Sequence, residues 1–212
     1  MDKAERIRNE KLGAGLIKSL SLRHFDAYYC VSCAEAAEKI LSLIPQTDVV
    51  SWGGSVTMEA LGVIDRVKKG GWRVIDRSTA QSQEEKIEIM RRALLCDTYL
   101  TGANAISEDG EIVNVDGNGN RVAAMTFGPR SVIVACGMNK VVKTAEDAIS
   151  RARNTAAPVN AQRFDIRTPC KTTGSCADCK STDSICSYIV RTRLCKPAGR
   201  IKVVLVGEAL GF

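Results

Sequence analysis

At 212 residues, 45% of them hydrophobic, the chain can bury one sizeable core, and no run approaches the roughly 18 to 20 consecutive apolar residues that cross a bilayer. Residues 1–18 mix acids, bases and apolar side chains without the apolar stretch of a secretory signal, so a soluble, cytoplasmic protein with no membrane partner is expected, its nine cysteines reduced. The net charge of +6 invites a nucleic-acid partner, but aromatic residues are only 5% of the chain, stacking platforms are scarce, and none is expected.

In chain order, periodicity predicts a helix over 3–20, a strand over 25–31 and a helix over 33–44 that Pro45 stops. A short buried strand over 48–52 runs into Gly53-Gly54-Ser55 and one helix over 56–69, closed by Gly70-Gly71. A strand over 72–76, a helix over 83–95 and a strand over 98–102 follow. The rhythm then changes to short β runs at 105–107, 112–115, 122–127 and 131–136. Asp109-Gly110 reads as a type I′ hairpin turn, and residues 116–120 as a longer glycine-rich turn. A helix over 144–156, a turn-rich region over 158–197 and a last strand over 201–206 complete the chain. This alternation predicts an α/β fold: a mainly parallel sheet flanked by helices, with β-hairpins and a C-terminal cysteine-rich segment.

Cys170, Cys176, Cys179 and Cys186 are spaced x5, x2 and x6 in a stretch without helical or strand periodicity. Long irregular loops are uncommon in compact domains, and metal coordination would order this one. Four thiolates hold either a [4Fe-4S] cluster, which is favoured, or zinc. Residues 163–200 carry eight bases against three acids, and so five of the six net positive charges. A metal with four thiolates is a local anion that such cations stabilise. Cys96, Cys136 and Cys195 read as small buried residues, Cys30-x2-Cys33 as a weaker redox candidate, and His24 as exposed or capping.

Gly53, Gly54 and Ser55 stand between a strand and a helix, where backbone N–H groups and a helix dipole meet anions. If the strands at 48–52 and 98–102 are neighbours, Asn104, Asp116, Asn120 and Arg121 share one cleft with Gly54 and Ser55, and Lys140 can add a cation. Glu108, Asp109 and Asp116 are the candidate acid–base groups for a substrate held there. A small carboxylate or a phosphorylated metabolite fits this chemistry.

Ser51-Trp52-Gly53-Gly54-Ser55, Thr101-Gly102-Ala103-Asn104, Asn114-Val115-Asp116-Gly117, Gly119-Asn120-Arg121, Phe127-Gly128-Pro129, Gly137-Met138-Asn139-Lys140 and Thr168-Pro169-Cys170 together resemble the LUD domain, or lactate-utilisation, family. The likeness runs over nearly the whole chain and implies a single LUD-type domain, 1–212, in which 163–200 is a cysteine-rich metal-binding insertion before the last strand. It implies a fold similar to the ribose-5-phosphate isomerase, glucosamine-6-phosphate deaminase and coenzyme A transferase group. For function it implies a metal-containing component of L-lactate oxidation to pyruvate or related organic-acid metabolism, a subunit of an oxidoreductase with iron–sulfur protein partners. The alternative is an isomerase-like or small-molecule-binding protein for a phosphorylated or carboxylated metabolite, its metal purely structural.

Overall fold

Three central segments are buried at nearly every position, as strands covered on both faces are: β4 (Thr98–Gly102), β7 (Ser131–Gly137) and β10 (Ile201–Val206). The computed structural model describes residues 2–212 and assembles these three with β1 (Asp26–Cys30), β2 (Val49–Trp52) and β3 (Arg73–Ile75). The six form one sheet in the order β1-β10-β7-β4-β2-β3, and every neighbouring pair is parallel. Alternate residues divide between its faces. Tyr99, Val132, Val134, Val203 and Leu205 pack on Leu16 and Leu20 of α1 (Lys3–Leu22). Leu100, Ile133, Ala135, Val204 and Val206 pack on α2 (Cys33–Ser42), α3 (Val56–Ala60) and α4 (Val63–Lys69). No described helix is long and apolar enough to cross a membrane.

The expected helix over 56–69 is broken: Gly62 adopts φ +66°, a left-handed conformation that ends α3 and starts α4. Beyond α5 (Gln83–Arg92) and β4, a second sheet forms from β5 (Ala105–Ser107), β6 (Ile112–Asp116), β8 (Val141–Val142) and β9 (Tyr188–Thr192), in the order β8-β5-β6-β9. β5 and β6 are the expected antiparallel hairpin. Its turn is not type I′, because Gly110 has φ +90° while Asp109 is not among the residues with positive φ. Gly110 N–H donates to Ser107 O at 2.8 Å and Ser107 N–H to Glu111 O at 3.0 Å, the pattern of a three-residue turn with a left-handed glycine.

The run 122–127 is not a strand but part of a helix, α6 (Asn120–Thr126). Its β-leaning composition is overridden at both ends. The Asp116 carboxylate accepts the N–H groups of Asn118, Gly119, Arg121 and Val122, and the Arg200 guanidinium donates to the carbonyls of Ala124, Met125 and Pro129. These bonds satisfy the backbone groups that a short helix leaves open.

The helix expected over 144–156 begins as α7 (Ala145–Arg151), passes through a π-helical turn at Ala152–Ala156 and continues as α8 (Ala157–Ala161). The turn-rich region also holds α9 (Pro169–Thr173) and β9, which pairs with β6. β9 escaped the pattern because it is an edge strand with Tyr188 and Ile189 exposed, so its alternation is blurred. Cys96, Cys136 and Cys195 are buried, and His24 is exposed.

Candidate functional site

Because β2 leads outward to β3 while β4 returns on its other side, the chain reverses direction between β2 and β4. Carboxyl ends at such a switch point form a crevice. Here it is a cleft of about 720 Å³, lined by Gly54, Ser55, Asn104, Asp116, Asn120, Arg121 and Lys140. Gly53 lies beneath it: a Cβ there would meet Arg121 Cδ at 3.0 Å and the Tyr99 hydroxyl at 3.1 Å, so glycine leaves room for the arginine.

Arg121 is fixed from several sides. It donates to Gly102 O at 3.4 Å, Asn104 Oδ1 at 3.2 Å and Val115 O, and its Nε is 3.7 Å from Asp116. Burial pulls its pKa down, Asp116 and Tyr99 oppose that, and nearby Arg77 lowers it further. Lys140 is 3% exposed; its Nζ donates to Thr57 Oγ1 at 2.9 Å and Ala103 O at 3.4 Å, with no carboxylate partner among the described residues. Burial lowers its pKa too, the Cys136 thiol opposes this, and Arg151 and Arg121 add repulsion. The cleft floor is therefore a cluster of cations that repel one another, and an anion placed among them relieves that repulsion.

The helix-dipole part of the anion argument does not carry over, since α3 has only five residues and Ser55 Oγ caps it by accepting the Met58 N–H at 3.2 Å. Anion chemistry rests on side chains instead. Of the three acid–base candidates, Asp116 lines the cleft but accepts four backbone N–H groups, which leaves it poorly placed to take a substrate proton. Glu108 and Asp109 stand on the β5–β6 hairpin, outside the cleft lining, paired with Lys143 at 2.6 Å and Arg23 at 2.7 Å respectively. Thr57, Arg77, Lys86, Arg163, Phe164 and Phe212 line the cleft and were missed. Arg77 follows β3 directly, so the strand-end rule applied to 48–52 and 98–102 would have found it.

The four cysteines line a second, smaller cavity of about 70 Å³, with Arg153, Pro158, Ser184 and Ile189 around them. Cys170 comes from α9, Cys176 and Cys179 from the loop after it, and Cys186 from just before β9. Burial pushes the Cys186 thiol up to about 11, and the neighbouring Cys170, Cys176 and Cys179 push the same way. Arg153, on the π-helical turn, pairs with Asp178 between Cys176 and Cys179 and opposes that shift. Among the described residues no group of three His, Cys, Asp or Glu side chains is disposed to hold a metal ion. Cys30 and Cys33 are unlike activated thiols: burial holds both up at about 11.

The LUD domain family model matches residues 14–206. The chain belongs to the LUD domain family. Membership associates it with lactate utilisation in general terms. The LUD domain is also similar to a DUF162 family protein from Deinococcus radiodurans, at 16% identity over 95% of this chain and 97% of that one, with a TM-score of 0.52, which confirms the fold. Weaker likenesses are to ribose 5-phosphate isomerase A from Neisseria gonorrhoeae, 16% identical over 52% of each chain with a TM-score of 0.35, and to 5-methylthioribose 1-phosphate isomerase from Pyrococcus horikoshii, 13% identical over 74% of this chain and 50% of that one with a TM-score of 0.37. No curated protein matches the sequence.

Proposed function

We propose that this LUD domain is a metal-containing component of L-lactate oxidation to pyruvate, or of closely related organic-acid metabolism. In this reading the cleft receives the small carboxylate, and Cys170, Cys176, Cys179 and Cys186 hold a [4Fe-4S] cluster. One observation carries it: the two cavities share a wall. Thr182, Asp183 and Ile185 line the cleft, Cys186 lines the cysteine cavity, and Ser184 lines both. A ligand in one and a redox centre in the other are then only a few side chains apart.

Four thiolates are the donor set of a [4Fe-4S] cluster or of zinc. Zinc at about 2.3 Å from four sulfurs leaves them roughly 3.8 Å apart, in contact with one another. The cavity that the four cysteines line is about 70 Å³. When bound, a [4Fe-4S] centre would supply one-electron transfer; the two electrons lost by a 2-hydroxy acid would pass to an onward acceptor, an iron–sulfur protein partner, and the two protons would leave to solvent. The chain's own residues bind and orient: Arg121 and Lys140 hold the carboxylate, and the buried floor excludes water.

The competing reading, a phosphorylated metabolite with a structural zinc, draws on the cleft's width. Anaerobic purification followed by iron, acid-labile sulfide and zinc analysis, with calorimetry against L-lactate, pyruvate and a sugar phosphate, separates the two. Four irons with matching sulfide and binding of the hydroxy or oxo acid are expected. One zinc per chain, no sulfide and preference for the sugar phosphate would replace this reading with the other.

A further inference from the structure

The cleft is several times larger than a small carboxylate requires. By comparison with water's share of about 30 Å³, a hydroxy acid of six heavy atoms fills on the order of 150 Å³, against about 720 Å³ in the cleft. With such an acid on Arg121 and Lys140, the remaining wall offers Arg77, Lys86 and Arg163 together with the rings of Phe164 and Phe212. These cations are weakly engaged. Among the described residues, the only hydrogen-bonding contact of the Arg77 side chain is a 3.9 Å approach to Met90 Sδ, and the Lys86 side chain has none. Arg163 reaches Glu59 at 3.7 Å and Asn160 Oδ1 at 3.3 Å.

The carboxylates nearby do not balance them. Asp116, Asp165 and Asp183 face five lining cations, Arg77, Lys86, Arg121, Lys140 and Arg163, and Asp116 and Asp183 already pair with Arg121 and Arg167, each at 3.7 Å. Asp165 alone among the cleft carboxylates has no such partner in the described residues. The mouth also has planar surfaces: the Arg163 guanidinium lies 5.9 Å from the Phe164 ring centre and 6.0 Å from that of Phe212. Phe164 is 43% exposed, a large apolar ring left facing solvent beside Arg163. Guanidinium groups grip phosphate oxygens through paired hydrogen bonds, and exposed rings stack on heterocycles.

We propose that the mouth of the cleft is a second subsite, which takes the phosphates of a nucleoside phosphate on Lys86 and Arg163, with Arg77 between it and the floor, and its planar ring against Phe164. This rests on the reading of the inner cleft as a small-anion site, with both ligands bound together. In the lactate-oxidation reading, the second ligand is a co-substrate or effector held beside the first.

Calorimetry on the full chain with its metal, using ADP, inorganic pyrophosphate and L-lactate as probes, tests it. ADP and pyrophosphate should both bind, and L-lactate should bind ADP-saturated protein within about threefold of its affinity for the free protein. The double variant Lys86→Met with Arg163→Met should weaken ADP and pyrophosphate at least tenfold, roughly the loss of one charge-assisted hydrogen bond, while L-lactate binding, which also reports folding, stays within threefold. Phe164→Ala should weaken ADP about five- to tenfold, as loss of one stacking contact does, and leave pyrophosphate unchanged. The subsite is overturned if neither phosphate probe binds, if their binding ignores the double variant, or if L-lactate displaces ADP. Failure of L-lactate alone, with the phosphate results intact, removes the small-carboxylate reading and leaves the subsite standing.

Discussion

Residues 54–57, 102–104, 116–118 and 120–121 reach the cleft from strand ends and turns of the two sheets, whereas Cys170, Cys176 and Cys179 reach their cavity from a five-residue helix and a loop with few bonds to the core. The first region is held in shape by the fold. Asn104 Oδ1 accepts the Val115 N–H at 2.9 Å, and Asn114 donates to Gly102 O at 3.0 Å, so the two sheets are tied at the cleft floor. The second is held by local turns and surface pairs such as Arg153–Asp178 and Arg167–Asp183, the latter at 3.7 Å. Exposed pairs of this kind contribute little stability. On the proposed reading, a preformed cleft adjoins a segment ordered by what its cysteines bind, and because residues 182–185 line the cleft, that dependence would reach the ligand site.

The comparison is broken most forcefully at the cysteines. Cys176→Ser with Cys186→Ser should lower metal content below a tenth of the wild-type value, speed proteolysis within residues 165–185 at least tenfold and weaken cleft ligands. Elemental analysis with limited proteolysis measures this, and unchanged metal content would remove the four-cysteine site.

On the side held by the fold, Asp116→Ala removes the acceptor of four backbone N–H groups and should cost about 3 kcal/mol, measured by urea unfolding. A loss below about 1 kcal/mol would mean that the turn holds itself.

Lys140→Met should weaken small carboxylates at least tenfold while raising stability at neutral pH by about 1 kcal/mol, because it removes a buried charge with no carboxylate partner. The folded-state pKa of Lys140 lies below its ordinary value of 10.5. Between those two values the unfolded chain binds the extra proton, so wild-type stability rises with pH across that window. The variant should lose this rise; a variant that keeps it would place the titration elsewhere.

The smallest effect is expected at Gly54, where an added Cβ would meet Arg77 Nη2 at 2.6 Å. Gly54→Val should push that flexible guanidinium aside, weaken cleft anions several-fold and change stability by no more than about 0.5 kcal/mol. Anion affinity that stays constant would remove Arg77 from the site.

Much of this arrangement is legible in residue order where one local signal acts alone. Strands buried on both faces announce themselves as apolar runs, and Gly54, Ser55, Asn104, Asn120 and Arg121 converge once the strands at 48–52 and 98–102 are seen to be neighbours. Legibility fails where partners distant in sequence decide. Residues 122–127 have a β-like composition, yet Asp116 and Arg200 cap them as a helix. Glu108 and Asp109 looked like acid–base groups because their types were right, but Lys143, 35 residues after Glu108, and Arg23, 86 residues before Asp109, hold them on the hairpin.

The sequence by itself determined the α/β class, the parallel core and the cysteine spacing, because periodicity and spacing are properties of neighbouring residues. Only the tertiary structure decided that the cations Arg77, Arg121 and Lys140 stand together on the cleft and that residues 182–185 give it a common wall with the cysteine cavity. Charge repulsion and shared walls depend on distances across the fold, and those distances exist only once the two sheets have packed.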